Sequence, residues 1–225
     1  MTVRPDILVL FDLDHTLLPH DSDEKWVEFL LEEGALDRDR FEEANRDLRA
    51  RYQRGEAGAL EFTEFYLSTL AMFTPLQLEA RHEAYMRRKV LPAIPRAARE
   101  LTARHHQAGH LVVLTTATSR FLTEPIALEF GIEHLIATEP ELVQDRFTGR
   151  VVGTPNMREG KVERLVAWLA ERGWKLSDFE QSWFYSDSQN DLPLLSHVTH
   201  PVAVNADPVL AAHARHKGWP VLRIE

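Results

Sequence analysis

The sequence contains no cysteine, which excludes a disulfide framework, a thiolate nucleophile and a zinc–thiolate site. It is also short of positive charge. Lys and Arg number 26 against 35 Asp and Glu, a formal net charge of −9, so the overall field does not draw in phosphate polymers or anionic lipid. Nucleic acid and membrane surfaces are therefore not expected partners. Long hydrophobic runs are missing as well. The apolar stretch in MTVRPDILVLFDLD is far too short to span a bilayer and has no secretory-leader organisation, so a soluble, cytoplasmic protein is expected. No internal repeat or low-complexity tract is visible.

What is present is a chain of 225 residues, 44% of them hydrophobic, enough for one real core with an inserted or appended piece. Short runs rich in Val, Leu and Ile read as buried parallel strands at Ile7–Phe11, Leu111–Thr115, Leu135–Thr138, Trp183–Tyr185, Pro201–Val204 and Val221–Ile224. Between them, helical patterns run over Arg96–Ala108, Arg120–Phe130, Gly160–Arg172 and Pro208–His216. The alternation predicts a Rossmann-like, doubly wound parallel sheet in a three-layer α/β/α arrangement. From about Asp21 to Val90 the pattern is helical only, as in EKWVEFLLEEG and ALEFTEFYLSTL, and predicts a helical insertion after the first strand. Strand-like runs in ELVQDRFTGRVVG, around a Thr148-Gly149 turn, predict a small hairpin.

In an open parallel sheet, ligands bind beyond the carboxyl ends of the strands. The residues expected there form a set: Asp12 and Asp14 after the first strand, Thr116 after the second, Lys161 at a helix start, and Asp187 and Asp191 in YSDSQNDLPLL. Singly, each has an ordinary reading as a turn former, helix cap, β-former or solvated residue. Together they argue otherwise, because independent caps rarely fall at adjacent strand ends.

Phosphoryl transfer needs such a set. A carboxylate can act as nucleophile, forming an aspartyl-phosphate that divides one hard displacement into two easier ones, and Asp12 at a rigid strand end suits that role. A phosphate dianion facing several carboxylates needs a cation, and hard oxygen ligands select Mg²⁺, with Asp187 as ligand and Asp191 holding it or its waters. Thr116 offers a hydroxyl and nearby N–H groups to phosphate oxygens, and the Lys161 ammonium offsets charge. Asp14 is left as general acid and base, with its proton affinity raised by acidic neighbours.

FDLDHTL, VVLTTAT, GKVERL and SDSQND resemble, in order, the four motifs of the haloacid dehalogenase superfamily of phosphohydrolases. The resemblance covers essentially the whole chain. It implies Asp12 as nucleophile, Asp14 as acid/base that also offers its backbone carbonyl to Mg²⁺, Thr116 and Lys161 as phosphate-binding and charge-balancing catalytic residues, and Asp187 as the acidic metal ligand. On that basis the metal set is Asp12, Asp14, Asp187 and Asp191, and the phosphate pocket includes Thr116, Ala117, Lys161 and Asn190. Paired aspartates argue against the dehalogenase and phosphonatase branches. The insertion resembles the C1-type cap of the phosphoserine-phosphatase-like subfamily IB, implying a core of residues 1–18 and 91–225 with a cap at 19–90. Ser186-Asp187-Ser188 and Thr116-Ala117-Thr118 depart from the usual phosphoserine phosphatase motifs, and HDSDEKW is close to the pattern in histidinol-phosphatase-like relatives.

The implied activity is Mg²⁺-dependent hydrolysis of a small phosphorylated metabolite, similar to phosphoserine or histidinol phosphate, by a monomer or homodimer. Asp21 and Asp23 can meet a substrate amine, and Arg46, Arg49, Arg51 or Arg54 a carboxylate; of these arginines Arg51 is expected at the site. DSDEKW is equally a good helix N-terminus, and RDLRARYQR a solvated helix face. A phosphotransferase or phosphomutase on the same scaffold and a non-catalytic phosphate-binding protein are the alternatives. A signalling receiver is too short to carry such an insertion.

Overall fold

A computed structural model describes residues 5–224, and of residues 52 and 53 the backbone only. Residues 1–4 and 225 of the expected core therefore lie outside the described residues.

The first strand, β1 (Ile7–Phe11), is an unbroken apolar run with parallel neighbours on both sides, β2 (Leu111–Ser119) and β5 (Gln181–Ser186). Side chains alternate across a strand. Leu8 and Leu10 thus join one buried cluster while Val9 and Phe11 join the other, on the opposite face of the sheet. Outward from β2 come β3 (His134–Val143) and β4 (Arg146–Val152), and outward from β5 come β6 (His200–Val204) and β7 (Val221–Leu222), all parallel except β4. The sheet is the expected α/β/α arrangement. Helices α5 (Arg96–Gln107), α6 (Arg120–Glu129), α7 (Glu159–Ala170), the single turn α8 (Leu192–Leu195) and α9 (Pro208–Lys217) make its crossovers.

Between β1 and α5 lie α1 (Ser22–Glu32), α2 (Arg38–Gln53), α3 (Ala59–Ala71) and α4 (Pro75–Tyr85). Asp21 caps α1 through the Glu24 N–H, and Thr74 with Gln77 forms a capping box on α4, with Pro75 in its first turn. A π-helical turn, Met86–Val90, and a 3₁₀ turn, Leu91–Ala93, return the chain to the sheet. The insertion does not build a separate core. Trp26, Phe29, Leu67 and Tyr85 join the same buried cluster as Val9, Phe11 and Val112. Trp26 sits at its centre, edge-on to Tyr85 at 5.4 Å, with its indole N–H donated to Thr69 Oγ1.

Two expectations change in detail. Strands β2 and β3 run on past their apolar stretches, β2 through TTATS with an irregularity between Thr116 and Ser119. The hairpin exists, but its turn is Gln144-Asp145, both at positive φ, and not Thr148-Gly149. That double positive φ is what a two-residue hairpin turn requires. Gly149, inside β4 at φ +84, serves a different need: a Cβ there would lie 3.1 Å from Ser68 Cα on α3, so it lets the hairpin seat on the insertion. Gly149→Ala is expected to destabilise the fold by about 1–3 kcal/mol through strain and this contact. Gly153→Ala, also at positive φ but with open space around it, should cost less. Urea unfolding of both variants checks this, and equal losses would contradict it.

Candidate active site

Every strand that ends near the middle of the sheet delivers polar side chains to one place. A cavity of about 170 Å³ is lined by Asp12, Asp14, Asp21, Ala117, Lys161, Asp187, Asn190 and Asp191, together with His15, Met157, Arg158 and Ser188. A larger apolar groove, about 730 Å³, between α4, α6 and the hairpin shares no lining residue with it.

At the floor, Lys161 Nζ donates to Asp12 Oδ1 and to Asp191 Oδ2, both at 2.7 Å, and all three side chains are buried. The Ser186 hydroxyl, at the end of β5, also donates to Asp191 Oδ2. Asp12 is aligned by its own N–H bonding the Tyr185 carbonyl. Burial raises the Asp12 pKa to about 6, Lys161 opposing the shift and Asp191 adding to it. Burial works against the Lys161 charge, but Asp12 and Asp191 outweigh it and hold the proton above the usual lysine range.

Asp14 points the other way. Its Oδ1 accepts the Ser22 N–H at 2.9 Å and its Oδ2 the Thr118 hydroxyl at 2.8 Å, while Ser22 Oγ donates to Thr118 Oγ1. Tyr85 donates its hydroxyl to the Ser22 carbonyl, so the acid is tied to the first and fourth helices of the insertion. Burial and the neighbouring Asp21 and Asp12 raise its pKa well above the ordinary value. Asp23 is raised well above it too, by burial and Asp21, with a Thr118 hydrogen bond opposing. Asp187 receives the Thr16 hydroxyl at 3.3 Å, and burial with Asp12 and Asp191 raises it to about 8. Among the described residues no three His, Cys, Asp or Glu side chains converge as a metal cage. The Asp14 carboxylate is directed to Ser22 and Thr118, and Asp191 Oδ2 to Lys161 and Ser186, so of the expected metal set Asp12 and Asp187 face the cavity least committed.

The structure thus brings together Asp12, Asp14, Asp21, Ala117, Lys161, Asp187, Asn190 and Asp191. Thr116 is fully buried beside them, its Oγ1 accepting the Thr118 N–H, and does not line the cavity. Arg51 is not brought in: it pairs with Glu61 at 2.7 Å. Ser22, Asn156 and Arg158 carry no functional mark in the sequence, and Ser186 marks only a motif departure. Asn156 and Arg158 sit a few positions before Lys161, in the segment that leads into α7, and that proximity is their one sequence signal.

Residues 9–196 match the haloacid dehalogenase-like hydrolase family. The chain is 40% identical to a histidinol-phosphatase of Neisseria meningitidis over 97% of its length and 99% of that protein's, and 27% identical to a phosphoserine phosphatase of Streptococcus thermophilus over 93% and 89%. A Bordetella pertussis structure described as a protein of unknown function superposes with a TM-score of 0.93 at 49% identity, covering 98% of this chain and 99% of that one. A substrate-bound phosphoserine phosphatase shares the fold, with TM-score 0.66 at 18% identity, covering 100% and 95%. The chain belongs to the haloacid dehalogenase-like hydrolases and is a phosphatase of that family. Among the described residues no helix is long and apolar enough to cross a membrane.

The carboxylate shifts carry a stability consequence. In the folded metal-free protein Asp187 keeps its proton up to about pH 8, whereas an unfolded chain releases it near its ordinary value of about 3.9. Between these values the folded state binds more protons, so stability falls as pH rises through the window; Asp12 acts in the same sense up to about 6. In chelator, the wild-type urea midpoint should fall relative to that of Asp187→Asn between pH 5 and pH 8, a difference that cancels the opposite contribution of the half-buried neutral His20 and His105, each with its pKa lowered to about 4. A wild-type midpoint that rises relative to that of Asp187→Asn over this range would refute the arrangement.

Proposed function

We propose that this phosphatase hydrolyses a small phosphomonoester whose alcohol carries an amine and no carboxylate, as histidinol phosphate does, through an aspartyl-phosphate on Asp12. The observation that carries the reading is the buried Lys161 bridge, which fixes Asp12 at a strand end beside a second, separately held aspartate. Lys161 engages Asp12 Oδ1, which leaves the other oxygen to attack phosphorus. The ester P–O bond breaks as the new one forms, and the leaving alkoxide takes the proton that burial and acidic neighbours keep on Asp14. Asp14, now ionised, accepts a proton from water as it attacks the acyl phosphate, which breaks the acyl phosphate's bond to Asp12, frees phosphate, and restores the Asp12 carboxylate and the protonated Asp14.

The residues fit Mg²⁺. The donors are oxygens only, and Asp12 and Asp187 share a cavity in which burial and unneutralised carboxylate neighbours raise both pKa values. Mg²⁺ keeps several waters and takes one or two carboxylates with substrate phosphate; Asp12 and Asp187 would supply the carboxylates, and the Asp14 carbonyl would be the further oxygen. When bound, Mg²⁺ offsets charge on the phosphate and the carboxylates and orients the phosphoryl group.

The substrate's other end is read from the insertion, taken as a cap over residues 19–90. Asp21 lines the cavity, and Asp23 and Asp14 are coupled to it by charge, so a cationic ammonium is welcome there. Of the four arginines that could greet a carboxylate, three are engaged elsewhere, Arg49 with Glu24, Arg51 with Glu61 and, just past the helix, Arg54 with Glu56, and Arg46 is exposed on α2 outside the cavity lining. The Neisseria relative named as a histidinol-phosphatase, matched end to end, supports the same choice.

The test is a panel of histidinol phosphate, phosphoserine and an aryl phosphate, with Mg²⁺ and after EDTA. Histidinol phosphate should exceed phosphoserine by about tenfold or more in kcat/KM, a difference of about 1.4 kcal/mol, and EDTA should remove all turnover until Mg²⁺ is restored. Asp12→Asn should lower turnover by more than about 10³-fold, and Asp21→Asn should hurt the amine-bearing substrate more than the aryl one. Phosphoserine preferred over histidinol phosphate would overturn the substrate reading, and Asp12→Asn turnover within about tenfold of wild type the nucleophile.

A further inference from the structure

The cavity's charges do not balance around an incoming phosphate. Five aspartates line it, Asp12, Asp14, Asp21, Asp187 and Asp191, against two permanently charged cations, Lys161 and Arg158. Lys161 is engaged by Asp12 and Asp191 at 2.7 Å each, so its charge is already spent on carboxylates.

Arg158 is placed by a loop that is built with unusual care. Asn156, with no exposed surface, donates its side-chain amide to the Thr116 carbonyl at 2.9 Å and the Ile136 carbonyl at 2.8 Å, and its N–H to Thr138 Oγ1 at 3.0 Å. Reversing the amide would set its oxygen against two carbonyl oxygens, so the orientation is fixed by its surroundings. The loop is thereby tied to the later part of β2 and the first half of β3. At its far side Gly160 packs so closely that a Cβ would lie 2.2 Å from the Pro155 carbonyl oxygen. Between these two anchors Arg158 adopts φ 52 and ψ −125, a backbone region that favours glycine. A side chain persists in such a conformation only where the surroundings over-determine it, and such residues gather at functional sites. Here the effect is to turn the guanidinium to the cavity rim, where Nε bonds Asn190 Oδ1 at 3.3 Å.

We propose that Arg158 is the cationic residue that grips the outer phosphate oxygens, while Lys161 serves the nucleophile; this rests on the phosphatase reading above. A planar guanidinium suits the task, since its paired N–H donors match two phosphate oxygens at once. Arg158 binds the substrate's phosphate and then the orthophosphate product.

Orthophosphate binding, measured by calorimetry in Mg²⁺ buffer, tests this without requiring turnover. Arg158→Gly and Arg158→Ala should each weaken binding by about tenfold or more, and Arg158→Lys should recover part of the loss. Arg158→Gly removes the backbone strain that Arg158→Ala keeps, so its Tm should exceed that of Arg158→Ala by about 2–4 °C. Weaker binding in the better-relaxed variant separates phosphate contact from a merely structural role. Binding by Arg158→Gly and Arg158→Ala within about twofold of wild type would overturn the proposal, as would Arg158→Lys no tighter than Arg158→Ala. A wild type that binds orthophosphate yet hydrolyses no phosphomonoester would sink the functional reading alone. A wild type that binds no orthophosphate would sink this proposal.

Discussion

One buried ammonium between two buried carboxylates is the constraint around which the site is arranged. Taking Lys161, Asp12 and Asp191 out of water is costly, and only close geometry with further hydrogen bonds makes it tolerable. Their sequence positions are far apart: Lys161 stands 149 residues from Asp12 and 30 from Asp191. The bridge can therefore form only when β1, the start of α7 and the turn after β5 are all in register. Much of the surrounding detail serves that end. The Ser186 hydroxyl supplies Asp191 with a second donor, the Tyr185 carbonyl holds the Asp12 backbone, and Asn156 with Gly160 fixes the loop that leads into α7, whose first turn carries Lys161. Two carboxylates against one ammonium leave the floor negative, which is why the same pocket suits a divalent cation.

Asp14 is governed by a different part of the molecule. Its two oxygens are held by Ser22, the first residue of α1, and by Thr118 on β2. Ser22 is in turn held by Tyr85, whose ring packs on Trp26. The proton affinity of the acid therefore depends on how the insertion sits on the sheet, while that of the nucleophile depends on the sheet and Lys161. Under the proposed mechanism this division is useful. The group that attacks needs to be fixed and mostly ionised, whereas the group that moves a proton needs an environment that holds the proton until the leaving oxygen arrives.

The layout of the sheet was legible because its strands are short uninterrupted apolar runs rich in Val, Leu and Ile, such as ILVLF and LVVL, that alternate with helical patterns, as strands of a parallel sheet covered on both faces do. The core site was legible for a related reason: a parallel sheet brings all its strand ends to one side, so Asp12, Lys161 and Asp187 converge once the strands are known. What escaped the sequence depends on contacts between distant residues. Thr148-Gly149 looks like a turn, yet the glycine answers to Ser68 across the insertion. Arg51 looks available until Glu61, on the next helix, claims it. Arg158 carries no local mark at all, since an arginine is not read as a residue of glycine-like backbone.

Selectivity in such a site need not come from a stronger grip on the right substrate. The pairs that engage Arg49, Arg51 and Arg54 are half-exposed, and pairs of that kind contribute little energy, so they would not by themselves stop an arginine from turning to a tightly held carboxylate. The stronger effect is at the other end of the encounter. A carboxylate placed beside Asp21 and Asp23 meets like charge in a half-buried setting, where each group already resists ionisation, and its arrival would force either a proton uptake or a displacement of the insertion. An ammonium in the same place favours the ionised forms of both. Discrimination by repulsion of the wrong charge needs no cation from the insertion, and under the proposed mechanism it leaves Lys161 and Asp12 free to treat every phosphomonoester alike.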